Sequence, residues 1–248
     1  LMASVLAKGE TKISNAAREP EIEDLSKCLI KMGAKIEGHG TKTILVQGVT
    51  NLKKAEHEII ADRIVAGTYI IAALMLNSAL EINNFNTIYL KSLIDILKKM
   101  GAKLKVSKNS IKVSKGSKLK STSLSTSPYP GFPTDLQAQL MSLMCISDGK
   151  SKIKETIFEN RFMHVPELNR LGANITVEKD TATIIGNQTF KGAQVMASDL
   201  RASISLVLAA MNANGQTTLN RVYHLDRGYE NIEKTLGSLG AKIKRQKN

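Results

Sequence analysis

The chain has 248 residues, 35 of them basic and 22 acidic, for a net charge of +13, and 42% are hydrophobic. This is the composition of a soluble globular protein; the longest apolar run, residues 59–76, is broken by Asp62, Arg63, Gly67 and Thr68, so no membrane-spanning helix is expected. Cys28 and Cys145 are the only cysteines, which excludes a disulfide framework and fits a reducing, cytoplasmic setting with two buried free thiols.

From the N-terminus, Leu1-Met2-Ala3-Ser4-Val5-Leu6-Ala7 is apolar but lacks the basic region and cleavage site of a signal peptide. It matches Leu206-Val207-Leu208-Ala209-Ala210, with Lys8-Gly9 matching Asn214-Gly215, so it is expected to lie inside a buried helix. A chain seldom starts in mid-helix, and the sequence reads as N-terminally truncated. An amphipathic helix then runs to Met32-Gly33-Ala34-Lys35-Ile36. Asp62-Arg63-Ile64-Val65-Ala66-Gly67 opens a helix that is apolar on most faces through Ile70, Ile71, Ala72, Ala73, Leu74, Met75 and Leu76, as in a helix buried on all sides.

Leu90, Leu93, Ile94, Leu97 and Met100 recur with helical period up to Met100-Gly101-Ala102-Lys103-Leu104. Alternating strands follow at Lys103-Leu104-Lys105-Val106-Ser107 and Ser110-Ile111-Lys112-Val113. The net charge of +13 suggests an anionic partner such as nucleic acid, phosphate or a nucleotide sugar. The lysines that supply much of it (Lys98, Lys99, Lys103, Lys105, Lys108, Lys112, Lys115, Lys118, Lys120) are, however, scattered at strand ends and on helix faces and read as a solvated surface. The five Phe and five Tyr do not alternate with them as a base-stacking surface would require, so nucleic acid is not expected. The rigid turn Pro128-Tyr129-Pro130-Gly131-Phe132-Pro133 precedes Thr134-Asp135-Leu136-Gln137-Ala138-Gln139, which opens a second buried helix ending at Gly149. Leu171-Gly172-Ala173-Asn174-Ile175 closes another amphipathic helix. Ser198-Asp199-Leu200-Arg201-Ala202-Ser203 opens a third buried one ending at Gly215, and Leu239-Gly240-Ala241-Lys242-Ile243 is the last of the series.

These elements form a repeat. The four glycines Gly33, Gly101, Gly172 and Gly240 lie 68, 71 and 68 residues apart, each where a helix C-terminus needs positive φ. Asp at each buried-helix start suits an N-cap. Each unit reads helix, strand, helix, strand, strand, strand. The spacing Asp62–Asp135–Asp199 sets its length, and the segment after Asp199 falls about one strand short. Residues 1–60 are expected to belong to one domain and 61–248 to a second, three-unit domain. An open sheet edge there invites self-association.

Glu159-Asn160-Arg161-Phe162-Met163-His164-Val165-Pro166-Glu167-Leu168, Pro133-Thr134-Asp135-Leu136-Gln137-Ala138-Gln139, Asp199-Leu200-Arg201-Ala202, His224-Leu225-Asp226-Arg227-Gly228-Tyr229-Glu230 and Asn15-Ala16-Ala17-Arg18-Glu19-Pro20-Glu21-Ile22 resemble the enolpyruvyl transferases. Within them they resemble the branch that acts on UDP-N-acetylglucosamine, and the strings run through almost the whole chain. The resemblance implies an inside-out α/β barrel: three units pack their helices inward, and two such domains make the parent protein. It also implies that the chain's missing closing strand comes from the N-terminus of that parent. The implied substrates are phosphoenolpyruvate and UDP-N-acetylglucosamine, joined at the sugar 3′-hydroxyl with release of phosphate in the first committed step of peptidoglycan synthesis. No cofactor or metal is called for.

Asp135, aimed by the rigid turn, is then the candidate acceptor of the hydroxyl proton and a sugar contact. Arg161 and Arg227, each just before a helix, are candidate anion clamps for phosphate or carboxylate; Glu159 and Asp226 beside them are the alternative ion-pair partners. The resemblance places Ile157 against the nucleotide sugar through its backbone, and Asp199 and Arg201 on the active cleft. His164 and His224 are read as packing residues. The family's mobile-loop cysteine and its Lys-Asn pair have no counterpart in the sequence, so the 248 residues alone are expected to be inactive. A shikimate-pathway relative, and a non-catalytic basic repeat protein that binds an anionic polymer, remain alternative readings.

Overall fold

The computed structural model describes residues 1–246. The chain divides into two compact units: Leu1–Asp62 with Pro128–Gly131, and Arg63–Ser127 with the chain from Phe132 onward.

The first unit holds strand β1 (Glu10–Ser14), helix α1 (Pro20–Lys31) and strands β2 (Lys35–Glu37) and β3 (Thr43–Gln47), in an antiparallel sheet of order β1-β3-β2. Pro20 starts α1, where its missing N–H costs no hydrogen bond. Period-two alternation turns Ile44 and Val46 inward onto Leu29, Ala34 and Ile36. The opening residues form a 3-10 turn (Ala3–Leu6), not the expected buried helix: Val5 packs inward, while Met2 and Leu6 are 67% and 56% exposed. Cys28 is half-buried, on the edge of α1's apolar stripe.

The second unit repeats one pattern. Helix α2 (Arg63–Met75), strand β4 (Leu80–Asn83), helix α3 (Lys91–Lys99) and strands β5 (Leu104–Val106), β6 (Ser110–Val113) and β7 (Leu124–Ser125) make the first copy. Helix α4 (Gln137–Ile146), β8 (Lys150–Lys154), α5 (Val165–Arg170), β9 (Asn174–Glu178), β10 (Thr181–Ile185) and β11 (Gln194–Met196) make the second. Helix α6 (Leu200–Asn212), β12 (Thr218–Asn220) and α7 (Ile232–Ser238) begin the third. The expected order of helix, strand, helix and three strands is the observed one. After α7, where strands were expected, residues 241–246 form none.

The last strand of each of the first two copies leaves it. β7 pairs in parallel with β8, and β11 with β12, giving sheets β4-β6-β5, β7-β8-β10-β9 and β11-β12 in this unit. Helices α2, α4 and α6 touch pairwise and are buried almost all round; nine of the ten residues of α4 are buried. The strands turn one face onto these helices and the other outward, as Ser151 and Ile153 on β8 are buried and Lys150, Lys152 and Lys154 exposed. This helices-inside arrangement is the one the resemblance implied.

The four repeated glycines all have positive φ, between 96° and 103°. At each, the glycine N–H reaches back three residues and the next alanine N–H five, as in Ala102 N to Leu97 O and Ala173 N to Leu168 O. Helices α4 and α6 end differently from the expectation. Their chains turn extended at Ser147 and Ala213, and Gly149 and Gly215 carry positive φ two residues later, in the turn to the next strand.

Candidate active site

The site is built at the start of α4. Asp135 lies in a 3-10 turn (Thr134–Leu136) and makes no helix cap. Its carboxylate instead holds two arginines: Arg161 Nη2 donates to Oδ1 at 2.9 Å and Arg201 Nη2 to Oδ2 at 3.1 Å. The arginine side chains are 21% and 17% exposed and the aspartate 40%, so the carboxylate faces outward from a more deeply set pair of cations. The Arg161 guanidinium also lies over the Phe158 ring, 5.1 Å from its centroid. One predicted anion clamp, Arg161, and Arg201, which the resemblance placed on the cleft, thus meet the predicted proton acceptor, while the other clamp, Arg227, does not; Arg161 pairs with Asp135 rather than Glu159.

Asp199 does cap. Its Oδ1 accepts from Arg201 N at 2.8 Å and Ala202 N at 3.0 Å, which fixes the first turn of α6 and therefore the origin of the Arg201 side chain. Arg227 ends the 3-10 turn Val222–Arg227, is exposed and takes no part in the Asp135 cluster. Asp226 beside it is occupied by Arg245, at 2.9 and 2.6 Å, and this bond holds its carboxyl below the ordinary carboxylate range.

Ile157 begins the loop that carries Arg161. Its N–H donates to Glu155 Oε1 at 2.9 Å, so its carbonyl is the main-chain group left to meet a ligand. Glu155 was not singled out in the sequence. It is 4% exposed and accepts from Thr126 Oγ1 (2.9 Å), Thr134 Oγ1 (3.0 Å), Ile157 N (2.9 Å) and Phe158 N (3.2 Å). One buried carboxylate therefore ties the residue before Asp135 to the loop before Arg161. No local pattern announces this, because its partners come from three separate segments. The loop and the β9–β10 hairpin line a groove of about 930 Å³ that includes Ile157, Phe158, Arg161, Met163 and Lys179.

His164 packs beneath the loop, 2% exposed, with burial pushing its pKa down to about 4; nearby Asp199 opposes this and Arg161 adds to it. His224 stacks on Tyr223 with centroids 4.2 Å apart. Cys145 is buried in α4, and desolvation pushes its thiol up to about 12. No helix among the described residues is long and apolar enough to cross a membrane.

The arrangement offers a carboxylate able to accept a proton, cations that an incoming phosphate or carboxylate can draw away from it, and an adjoining groove lined by both charged and apolar side chains. The family model for EPSP synthase (3-phosphoshikimate 1-carboxyvinyltransferase) matches residues 1–236. A UDP-N-acetylglucosamine 1-carboxyvinyltransferase of Azorhizobium caulinodans is 54% identical over 99% of this chain and 57% of its own length. One of Pelagibacter ubique is 52% identical over 99% of this chain and 59% of its own. The chain thus spans under two thirds of the curated relatives it matches. The crystal structure of the enolpyruvyl transferase NikO from Streptomyces tendae superposes with a TM-score of 0.88 at 28% identity, covering 97% of this chain and 58% of that one. EPSP synthase from Acinetobacter baumannii, at 17% identity and a TM-score of 0.77, shares the fold. With the helices-inside repeat, these matches show that the chain belongs to the enolpyruvyl transferase family.

Proposed function

We propose that the chain is part of a cytoplasmic enzyme that transfers the enolpyruvyl group of phosphoenolpyruvate to the 3′-hydroxyl of UDP-N-acetylglucosamine and releases phosphate, for peptidoglycan synthesis. The observation that carries this reading is Asp135 held by Arg161 and Arg201 beside the groove. An anionic substrate competes for the two guanidinium groups and frees the carboxylate to take the sugar hydroxyl proton. Arg161 and Arg201 then hold phosphate or carboxylate charge as it develops. Arg227, exposed and outside the cluster, is an anion ligand that substrate recruits, and Ile157 offers its carbonyl to the nucleotide sugar. Asp199 serves by holding Arg201 in place.

The relatives' names favour this substrate over that of the shikimate-pathway branch, and the Asp135 cluster favours an enzyme over a basic scaffold for an anionic polymer. Residues 1–60 are read as the remainder of one barrel domain and 61–248 as a second, three-unit domain. The test is phosphate release from the two substrates by the 248 residues and by a chimera adding the part of the Azorhizobium caulinodans relative they do not cover. Turnover by the chimera, with little or none from the 248 residues, is expected. A chimera that folds but stays inactive overturns the proposal.

A further inference from the structure

Tyr229 is 2% exposed, set among Ile204, Val207, Leu225, Ile232 and Leu236, where a phenylalanine would fill the same space. Its hydroxyl, however, is fully used. It lies 2.9 Å from Thr68 Oγ1. Thr68 donates its only hydrogen to the Ile64 carbonyl at 2.9 Å, so towards Tyr229 it acts solely as an acceptor. The tyrosine proton is therefore committed to Thr68. Gln139, with no exposed surface, sends Nε2 to the same Thr68 oxygen at 3.3 Å and to the Asp135 carbonyl at 2.9 Å. What remains on the tyrosine oxygen is lone-pair capacity, which the Gln139 amide and the Arg201 guanidinium share as donors. The Nη2 of the same guanidinium donates to Asp135 Oδ2 at 3.1 Å. Burial raises the Tyr229 pKa, with Thr68 and Arg201 opposing it, so the hydroxyl stays neutral near pH 7 and adds no competing negative charge.

We propose that Tyr229 is a positioning residue: its proton is fixed on Thr68, so its oxygen offers only lone pairs to Arg201 and keeps that guanidinium on Asp135. The chain of donors runs one way, from Arg201 to Tyr229 to Thr68 to the Ile64 carbonyl. It ties α2, α4 and α6 to the turn that carries Arg227, two residues before Tyr229. The inference takes its catalytic meaning from the function proposed above, but its geometry stands without it.

The test reads the arginine, not turnover. Hydrogen exchange of the Arg201 guanidinium protons is followed by NMR in the 248-residue chain, with the signals assigned by their loss in Arg201→Lys. Tyr229→Phe and Thr68→Val are expected to speed that exchange roughly tenfold, the factor for loss of one hydrogen bond to a charged group. Thr68→Ser, which keeps the hydroxyl, and Tyr69→Phe, a control in the same apolar cluster, leave it unchanged. If Tyr229→Phe lowers only the melting temperature and Arg201 exchange does not move, the tyrosine merely packs and the proposal falls. Should Tyr229→Phe fail to fold, equal exchange in Thr68→Val and Thr68→Ser is the result that overturns it. An inactive chimera alongside faster Arg201 exchange would sink the transferase reading and leave this one standing.

Discussion

Asp135 carries two arginines and no cap bond, so the charge on its side chain, not its place at a helix start, is what matters. In the chimera, Asp135→Asn is expected to lower kcat about 10²–10⁴-fold with a much smaller change in KM for the sugar, since an amide keeps a contact but takes no proton. Steady-state kinetics at neutral pH checks it, and an unchanged kcat removes Asp135 from the chemistry. His164 gives a pH dependence. In the unfolded chain it takes a proton near its ordinary pKa, and in the folded chain only near 4. Between those values the unfolded state holds more protons, so stability falls as pH drops from about 6.5 to 4, by on the order of 3 kcal/mol from this group. Urea unfolding of the wild type and His164→Asn at pH 7 and pH 4.5 should show the difference shrinking in the variant. The thiols should also separate: a thiol reagent is expected to modify half-buried Cys28 in the native chain while Cys145 waits for unfolding.

At the scale of elements, the repeated glycines were legible because a helix stop is a local event: the spacing of apolar residues, a glycine and an alanine already specify it. Their neighbours were not. A Cβ on Gly101 would stand 2.8 Å from the Lys118 carbonyl oxygen, whereas one on Gly240 meets nothing within 4 Å. Gly240→Ala is therefore expected to cost only the positive-φ penalty, about 1 kcal/mol, and Gly101→Ala clearly more. Thermal melts of the two variants decide, and equal losses would mean that the backbone conformation alone is at work. Asp199 and Asp135 show the limit from the other side. The same repeated position reads alike in sequence, yet one carboxylate caps α6 and the other faces two arginines. Which outcome prevails depends on Arg161 and Arg201, residues 26 and 66 positions away. Glu155 escaped notice for the same reason. The opening apolar run of seven residues looks like a helix core in sequence, but the 3-10 turn it forms buries only Ser4 and Val5.

At the scale of the whole molecule, the division at Asp62/Arg63 follows a stretch, residues 48–62, without helix or strand. Lys53 and Lys54 there are exposed. Limited trypsin digestion with mass spectrometry is expected to cut first at these lysines and to leave the larger unit intact longer. Early cuts scattered through α2, α4 and α6 would show that the units are misassigned. The strands β7 and β11 carry a different consequence. Each belongs by sequence to one copy of the repeat and by pairing to the next. A copy excised at its sequence boundaries would take along a strand it cannot pair and leave its neighbour's sheet one strand short. Growth or loss of whole copies during evolution is therefore penalised at every joint, unlike in an open solenoid, where a repeat can be added at the end. The hand-over of strands makes the number of copies a property of the assembly rather than of any one of them.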